Sequence, residues 1–216
     1  MIELRSLNKN YGSLPVLRNI NMRYMEGKVY GLVGENGAGK STLFRCIMNM
    51  EDHAGEILKP QGMQTGYLTD APYFYPLVTG MEHIEFCLRA RKADVSREEI
   101  KRLNLQFGLP LDKFPSKYSL GMKKRLQLMV LILQQSDFYI LDEPFNGLDL
   151  SGNILLKKWI KGQKANGRTI LLSSHIISAL TDVCDEISYI HHGEILKTYQ
   201  GNVPAAQIEE EIMQSL

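Results

Sequence analysis

The chain has 216 residues, 44% hydrophobic and 23% charged, a composition that suits one globular domain with a single good core. Its 25 basic residues face 24 acidic ones, a net charge of +1, so bulk electrostatics gives no case for nucleic acid or for an anionic lipid surface. Cys46, Cys87 and Cys184 lie far apart, which excludes a disulfide framework and a clustered metal site and fits reduced, buried thiols in the cytosol.

Residues 1–7 alternate apolar and polar side chains, as a half-buried strand does, and carry no signal-peptide pattern. A turn is expected over 11–15 and a second alternating strand over 16–25. Glu26-Gly27 reads as a turn, and 28–33 as a short apolar strand. Residues 40–50 carry Leu43, Ile47 and Met50 at helical spacing. The middle, from about 79 to 135, is mostly helical, with helices expected over 80–90, 96–107 and 121–134. Ser96 with Glu98 and Glu99 marks a helix start, and Gly108 with Pro110 a stop.

Beyond that point strand and helix alternate. Residues 138–141 form a continuous apolar run, 150–165 a helix, 169–173 a strand and 176–184 a helix. A hairpin over 186–191 and 194–199 turns at Gly193, and a short acidic amphipathic helix ends the chain. The order implies an α/β core with a helical insertion. No apolar run approaches the ~18 residues that span a bilayer, so action at a membrane would need another chain.

One motif is complete: Gly34-Glu35-Asn36-Gly37-Ala38-Gly39-Lys40-Ser41-Thr42 matches G-x-x-x-x-G-K-[ST] between an apolar strand and a helical pattern. Glycines let successive backbone N–H groups turn inward around a polyanion, and the helix start adds unpaired donors and a positive dipole end. Lys40 supplies charge for the β- and γ-phosphates, Ser41 a hydroxyl for Mg²⁺, and Thr42 a bond to an adjacent phosphate. A nucleoside triphosphate is the expected ligand. The run Phe138-Tyr139-Ile140-Leu141-Asp142-Glu143 ends an apolar strand in two carboxylates. Asp142 is placed to hold Mg²⁺ and Glu143 to polarise an attacking water.

Taken together, these motifs resemble the ATP-binding subunit of ABC transporters, in particular the small exporter-type subunits. The resemblance covers the whole chain. It implies a P-loop NTPase core of α/β class with an N-terminal antiparallel β subdomain and an inserted helical subdomain at about 79–135, all in one ATP-binding domain of residues 1–216. It further implies ATP hydrolysis that powers transport through a separate transmembrane permease, with the chain held at the inner face of the cell membrane. Two copies would pair head to tail and sandwich two ATP molecules.

Ser119 and Gly121 in Tyr118-Ser119-Leu120-Gly121-Met122 match the two signature positions that reach the partner copy's γ-phosphate, while Leu120 and Met122 depart from the usual LSGGQ. His175 resembles the switch histidine at the γ-phosphate. Asp149, in Asn146-Gly147-Leu148-Asp149, resembles the aspartate that reaches across the dimer, and Tyr11 the ring on the adenine face. Asp70 stands where the family carries a glutamine that contacts Mg²⁺ and the attacking water. It can bind Mg²⁺ through a water, and Asp70→Gln is expected to keep activity. Tyr73-Phe74-Tyr75 is expected to expose three aromatics beside the groove for the membrane subunit. The alternative is a soluble ATPase of the same type without a permease, although no nucleic-acid partner is expected.

Overall fold

The computed structural model describes residues 1–215. Strands β1 (Ile2–Tyr11) and β2 (Leu14–Tyr24) open the chain. Strand β3 (Val29–Val33) leads into helix α1 (Lys40–Ile47), and β4 (Ala54–Leu58) and β5 (Thr65–Leu68) follow. Next come α2 (Gly80–Ala90), α3 (Arg97–Phe107) and α4 (Leu120–Gln134). The remainder alternates: β6 (Phe138–Leu141), α5 (Leu150–Ala165), β7 (Thr169–Ser174), α6 (Ile177–Thr181), β8 (Glu186–His191), β9 (Glu194–Gln200) and α7 (Ala205–Ser215).

The strands form two sheets. A three-stranded antiparallel sheet has the order β2-β1-β4, and a six-stranded sheet has the order β5-β6-β7-β3-β8-β9. In the larger sheet β5 to β8 pair parallel and only β9 is antiparallel. Strand periodicity divides the core between its faces. Tyr139 and Leu141 pack with Ile84, Leu126 and Trp159 on the helical side, whereas Phe138 and Ile140 pack with Leu4, Leu43 and Phe44 on the side of α1 and the small sheet. Both faces are covered, which is why β6 reads as an unbroken apolar run.

Local chemistry sets the helix ends. Thr79 and Glu82 form a capping box at α2, as Ser96 and Glu99 do at α3, and Gly108 closes α3 at φ 63°. Three elements differ from the sequence reading. Helix α1 stops at Ile47, because Asn49 turns to φ 57° and its N–H bonds back to the Cys46 carbonyl at 2.9 Å. Helix α6 is shorter than 176–184 and ends in a turn, with the Val183 and Cys184 N–H groups both on the Leu180 carbonyl. Strand β4 was not expected. Its Ala-Gly-Glu-Ile-Leu run lacks clear alternation and is held by pairing with β1, a long-range cause that no local window contains.

Among the described residues no helix is long and apolar enough to cross a membrane. Ile140, in the strand that carries both carboxylates, is fully buried. Ile140→Ala should cost about 2–5 kcal/mol, read as a lower urea midpoint at unchanged slope; a loss within experimental error would mean the site strand is not held by this packing.

Candidate functional site

Three parallel neighbours end within two residues of one another: Leu141, the last residue of β6, lies opposite Leu172 of β7, and Val33, the last of β3, opposite Ser174, the last of β7. Their carboxyl ends deliver the Asp142-Glu143 pair, Ser174-His175 and the glycine-rich loop to the same edge, where open α/β sheets place ligands.

The loop itself is shaped for close backbone approach. Gly37 and Gly39 take φ of 87° and 108°, and a Cβ on Gly34 would run into the Ile190 carbonyl of β8. Gly39 leads into α1 with no side-chain cap and no acidic residue in the first turn, so that helix end stays open to an anion. Val16, Glu35, Asn36, Gly37, Gly39, Lys40, Ser41, Thr42, Asp70 and Glu143 line one cavity. The motif residues of loop and helix therefore share a pocket with two carboxylates from other elements. Ala38 is buried beneath it, its carbonyl taking the Gly193 N–H at 3.1 Å. A larger cleft between Glu3, Lys28 and Glu186 lies elsewhere and lacks this chemistry.

Lys40 is almost fully buried. Its Nζ donates to the carbonyls of Gly34 (2.6 Å) and Glu35 (3.1 Å) and lies 3.4 Å from Glu143 Oε1. Glu143 Oε2 is 3.0 Å from His175 Nδ1. An ionised carboxylate only accepts, so Nδ1 carries the proton of that contact. Lys40, Glu143 and His175 thus form a chain from the phosphate loop to the end of β7. Behind them, Ser173 Oγ donates to Asp142 Oδ1 at 2.8 Å and accepts the Glu143 N–H at 2.9 Å.

Glu143 adopts φ 45°, a left-handed conformation that costs a residue with a side chain roughly 1–2 kcal/mol. Its backbone is clamped on both sides: Ser173 holds the N–H, and the Nζ of Lys124 in α4 donates to its carbonyl at 2.9 Å. Lys124 also donates to Asp70 Oδ1 at 2.8 Å, and its side chain is 1% exposed. Sequence reasoning gave Ser173 and Lys124 no role. The signal for Lys124 was present, since it sits at i, i+4, i+7 with the buried Leu128 and Leu131, a charge inside an apolar stripe.

Other sequence-picked residues are placed less centrally. Ser119 caps α4, its Oγ accepting the Met122 N–H at 3.3 Å, which leaves the hydroxyl proton to donate. Gly121 is pressed by the Gly147 carbonyl, 2.7 Å from where a Cβ would stand. Asp149 caps α5, accepting the Gly152 N–H at 2.8 Å and pairing with Arg125. The Gly152 N–H and then the Arg125 guanidinium hold its carboxyl below the usual aspartate range. Neither Ser119, Gly121 nor Asp149 lines the phosphate cavity. Tyr11 does not line it either; its ring lies 4.8 Å from Lys9 Nζ, and Lys9 pairs with Glu51. The aromatic loop needs a correction. Tyr73 and Tyr75 are exposed, but Phe74 is buried, its ring 4.8 Å from that of His83.

Comparison with known proteins bears directly on this arrangement. The ABC transporter family profile matches residues 17–146. The chain is 34% identical over 214 residues to the lantibiotic transport ATP-binding protein SrtF of Streptococcus pyogenes, covering 94% of this chain and 93% of that one. The chain belongs to the ABC transporter ATP-binding family. The cassette binds ATP and is an ATPase. It is also 32% identical to the bacitracin transport ATP-binding protein BcrA of Enterococcus faecalis, over 91% of this chain and 68% of that protein. Its fold matches a solved ATP-binding subunit of an ABC transporter at TM-score 0.87 and 27% identity, covering 99% of each chain. The cassette MJ0796, solved as a dimer bound to ADP and Pi, has the same fold at TM-score 0.81 and 20% identity, over 94% of this chain and 100% of that one.

Removing the Ser173 hydroxyl strips Asp142 of a donor and the buried Glu143 N–H of its acceptor. Ser173→Ala should therefore cost about 1–3 kcal/mol in denaturant unfolding and lower ATP turnover as well; full activity at full stability would show the bridge to be idle.

Proposed function

We propose that this ATPase powers export through a separate transmembrane permease, working as two copies paired head to tail at the inner face of the cell membrane. The observation that carries the paired site is the split of the motifs. Lys40, Ser41, Thr42 and Glu143 share one cavity, whereas Ser119 and Gly121 sit outside it with a free hydroxyl proton and a backbone kept bare by glycine. A second copy would present them to the γ-phosphate. The names of SrtF and BcrA, both transport proteins, favour transport over a soluble ATPase.

Mg²⁺ fits the donors available. Ser41, Asp70 and Asp142 are hard oxygen ligands, and among the described residues no cluster of three or more His, Cys, Asp or Glu forms an all-protein cage. That suits an ion held by one or two protein oxygens together with phosphate and water. Ser41 and Asp142 would hold it, with Asp70 reaching it through a water; once bound, it neutralises charge on the phosphates.

The chain's own residues do the rest. In this structure Lys40 takes the Glu143 carboxylate as its anion. Phosphate oxygens entering the loop compete for that ammonium, which frees Glu143 to orient and deprotonate water while His175 reads the γ-phosphate. Asp149 would act at the interface through Oδ2, since Oδ1 is committed to the α5 cap. Tyr11 would stack on adenine with the ring face away from Lys9. Most of the rate gain is positioning and electrostatics.

Glu143→Gln should lower turnover by about 10²–10⁴-fold, keep ATP affinity, and trap an ATP-bound dimer visible by size exclusion. Normal hydrolysis by a monomeric variant would sink the assignment. For the permease, Tyr75, Leu77 and Phe86 flank one exposed apolar groove with Val78, Glu82 and His83. Tyr75→Ala with Phe86→Ala should weaken co-purification with the co-expressed permease at unchanged ATP binding. Unaltered co-purification would remove this groove as the docking surface.

A further inference from the structure

Lys124 is the most deeply buried cation near the site, and nothing in the hydrolytic scheme above uses it. It lies on α4, the helix that begins with Ser119, yet its Nζ leaves that helix to touch two other segments: Asp70, on the loop after β5, and the Glu143 carbonyl, after β6. A lysine with 1% of its side chain exposed is tolerable only when paired. Asp70 is that pair, and the half-exposed carboxylate faces the phosphate cavity.

We propose that Lys124 is a positioning residue for hydrolysis: bound to Asp70, it holds the Glu143 carbonyl so that this left-handed residue points its carboxylate at Lys40 and His175. The inference rests on Glu143 as the water-activating group. It has two consequences. Asp70 and Lys124 act as one unit, because losing either leaves the charge of the other unanswered beside the phosphates. A shift of α4, such as pairing of two copies would cause at Ser119, is transmitted through Nζ to the Glu143 peptide.

The experiment measures kcat with Mg²⁺–ATP, equilibrium binding of a fluorescent ATP analogue, and urea unfolding on the full chain. The variants are Lys124→Gln, Lys124→Arg, Asp70→Gln, the Asp70→Gln/Lys124→Gln double variant, and Glu143→Gln. Lys124→Gln should lower kcat by about tenfold or more with nucleotide affinity within about threefold, and Lys124→Arg should lose less. Asp70→Gln, which from sequence alone was expected to keep activity, should also lose turnover, since it faces Lys124 with a neutral amide. The double variant should be about as slow as Lys124→Gln alone, since both lack the ammonium that holds the Glu143 carbonyl, a non-additivity absent between independent sites.

A double variant whose loss is the product of the single losses overturns the proposal, as does wild-type kcat in Lys124→Gln or a loss seen wholly in nucleotide affinity. If Lys124→Gln does not fold, Asp70→Gln and Lys124→Arg decide: wild-type turnover in both overturns it. Glu143→Gln separates the two readings. If it hydrolyses normally, the role of Glu143 falls and this inference with it; if it is inactive while Asp70 and Lys124 prove uncoupled, only the inference falls.

Discussion

Strands β6, β7 and β3 run parallel and side by side, so their carboxyl ends stop within two residues of one another, and Lys40, Asp142, Glu143 and His175 hang on that registration. Leu141 faces Leu172, which in turn pairs with Gly31 of β3. A slip of one residue would turn Tyr139 and Leu141 to the face of α1 and the small sheet, away from Ile84, Leu126 and Trp159. The two-sided core therefore forbids the slip. What fixes Asp142, Glu143 and His175 in space is thus the burial of apolar side chains several ångströms below them. Only beyond the last ladder bond does the chain take up the unusual geometry of Glu143, where Ser173 and Lys124 supply the partners that the sheet no longer can.

The sequence made legible whatever is local or periodic. The phosphate loop is contiguous, and its chemistry follows from residue types at fixed spacing. The apolar run 138–141 with its acidic tip, the Ser96 helix start and the Gly108 stop likewise need no distant partner. What stayed hidden depends on contacts far apart in the chain. Strand β4 exists because β1 pairs with it. Phe74 is buried because α2 brings His83 over it, so a triplet that looked uniformly exposed splits into two outward rings and one inward. Lys124 was visible only as a charge in an apolar stripe. Its purpose became readable once Asp70, 54 residues away, was placed against it.

The segments at Ser119 and Asp149 illustrate a second kind of long-range constraint. Gly121 tolerates no Cβ because the Gly147 carbonyl stands there, and Gly147 takes φ 75°, a conformation a side chain would strain, with Leu120 packed against it. Arg125 then crosses from α4 to Asp149 and Ser151 at the start of α5. The start of α4 and the turn into α5 therefore interlock, through two bare backbones and one guanidinium. In the proposed dimer both segments would face the other copy, and neither could be displaced without the other. Their mutual fit explains why small residues occupy both turns even where no ligand touches them.

Two nearly buried lysines flank Glu143, and they are not equivalent. Lys40 holds the carboxylate at 3.4 Å, and Lys124 holds the carbonyl of the same residue at 2.9 Å. The anion on Lys40 is exchangeable in the proposed cycle, because a triphosphate in the loop offers more negative charge at the same place than one carboxylate does. The anion on Lys124 is not, because Asp70 belongs to the chain. Nucleotide binding would then release the side chain of Glu143 while its backbone stays fixed. A general base needs that combination: a carboxylate free to take a proton, carried on a peptide that does not move while it does so.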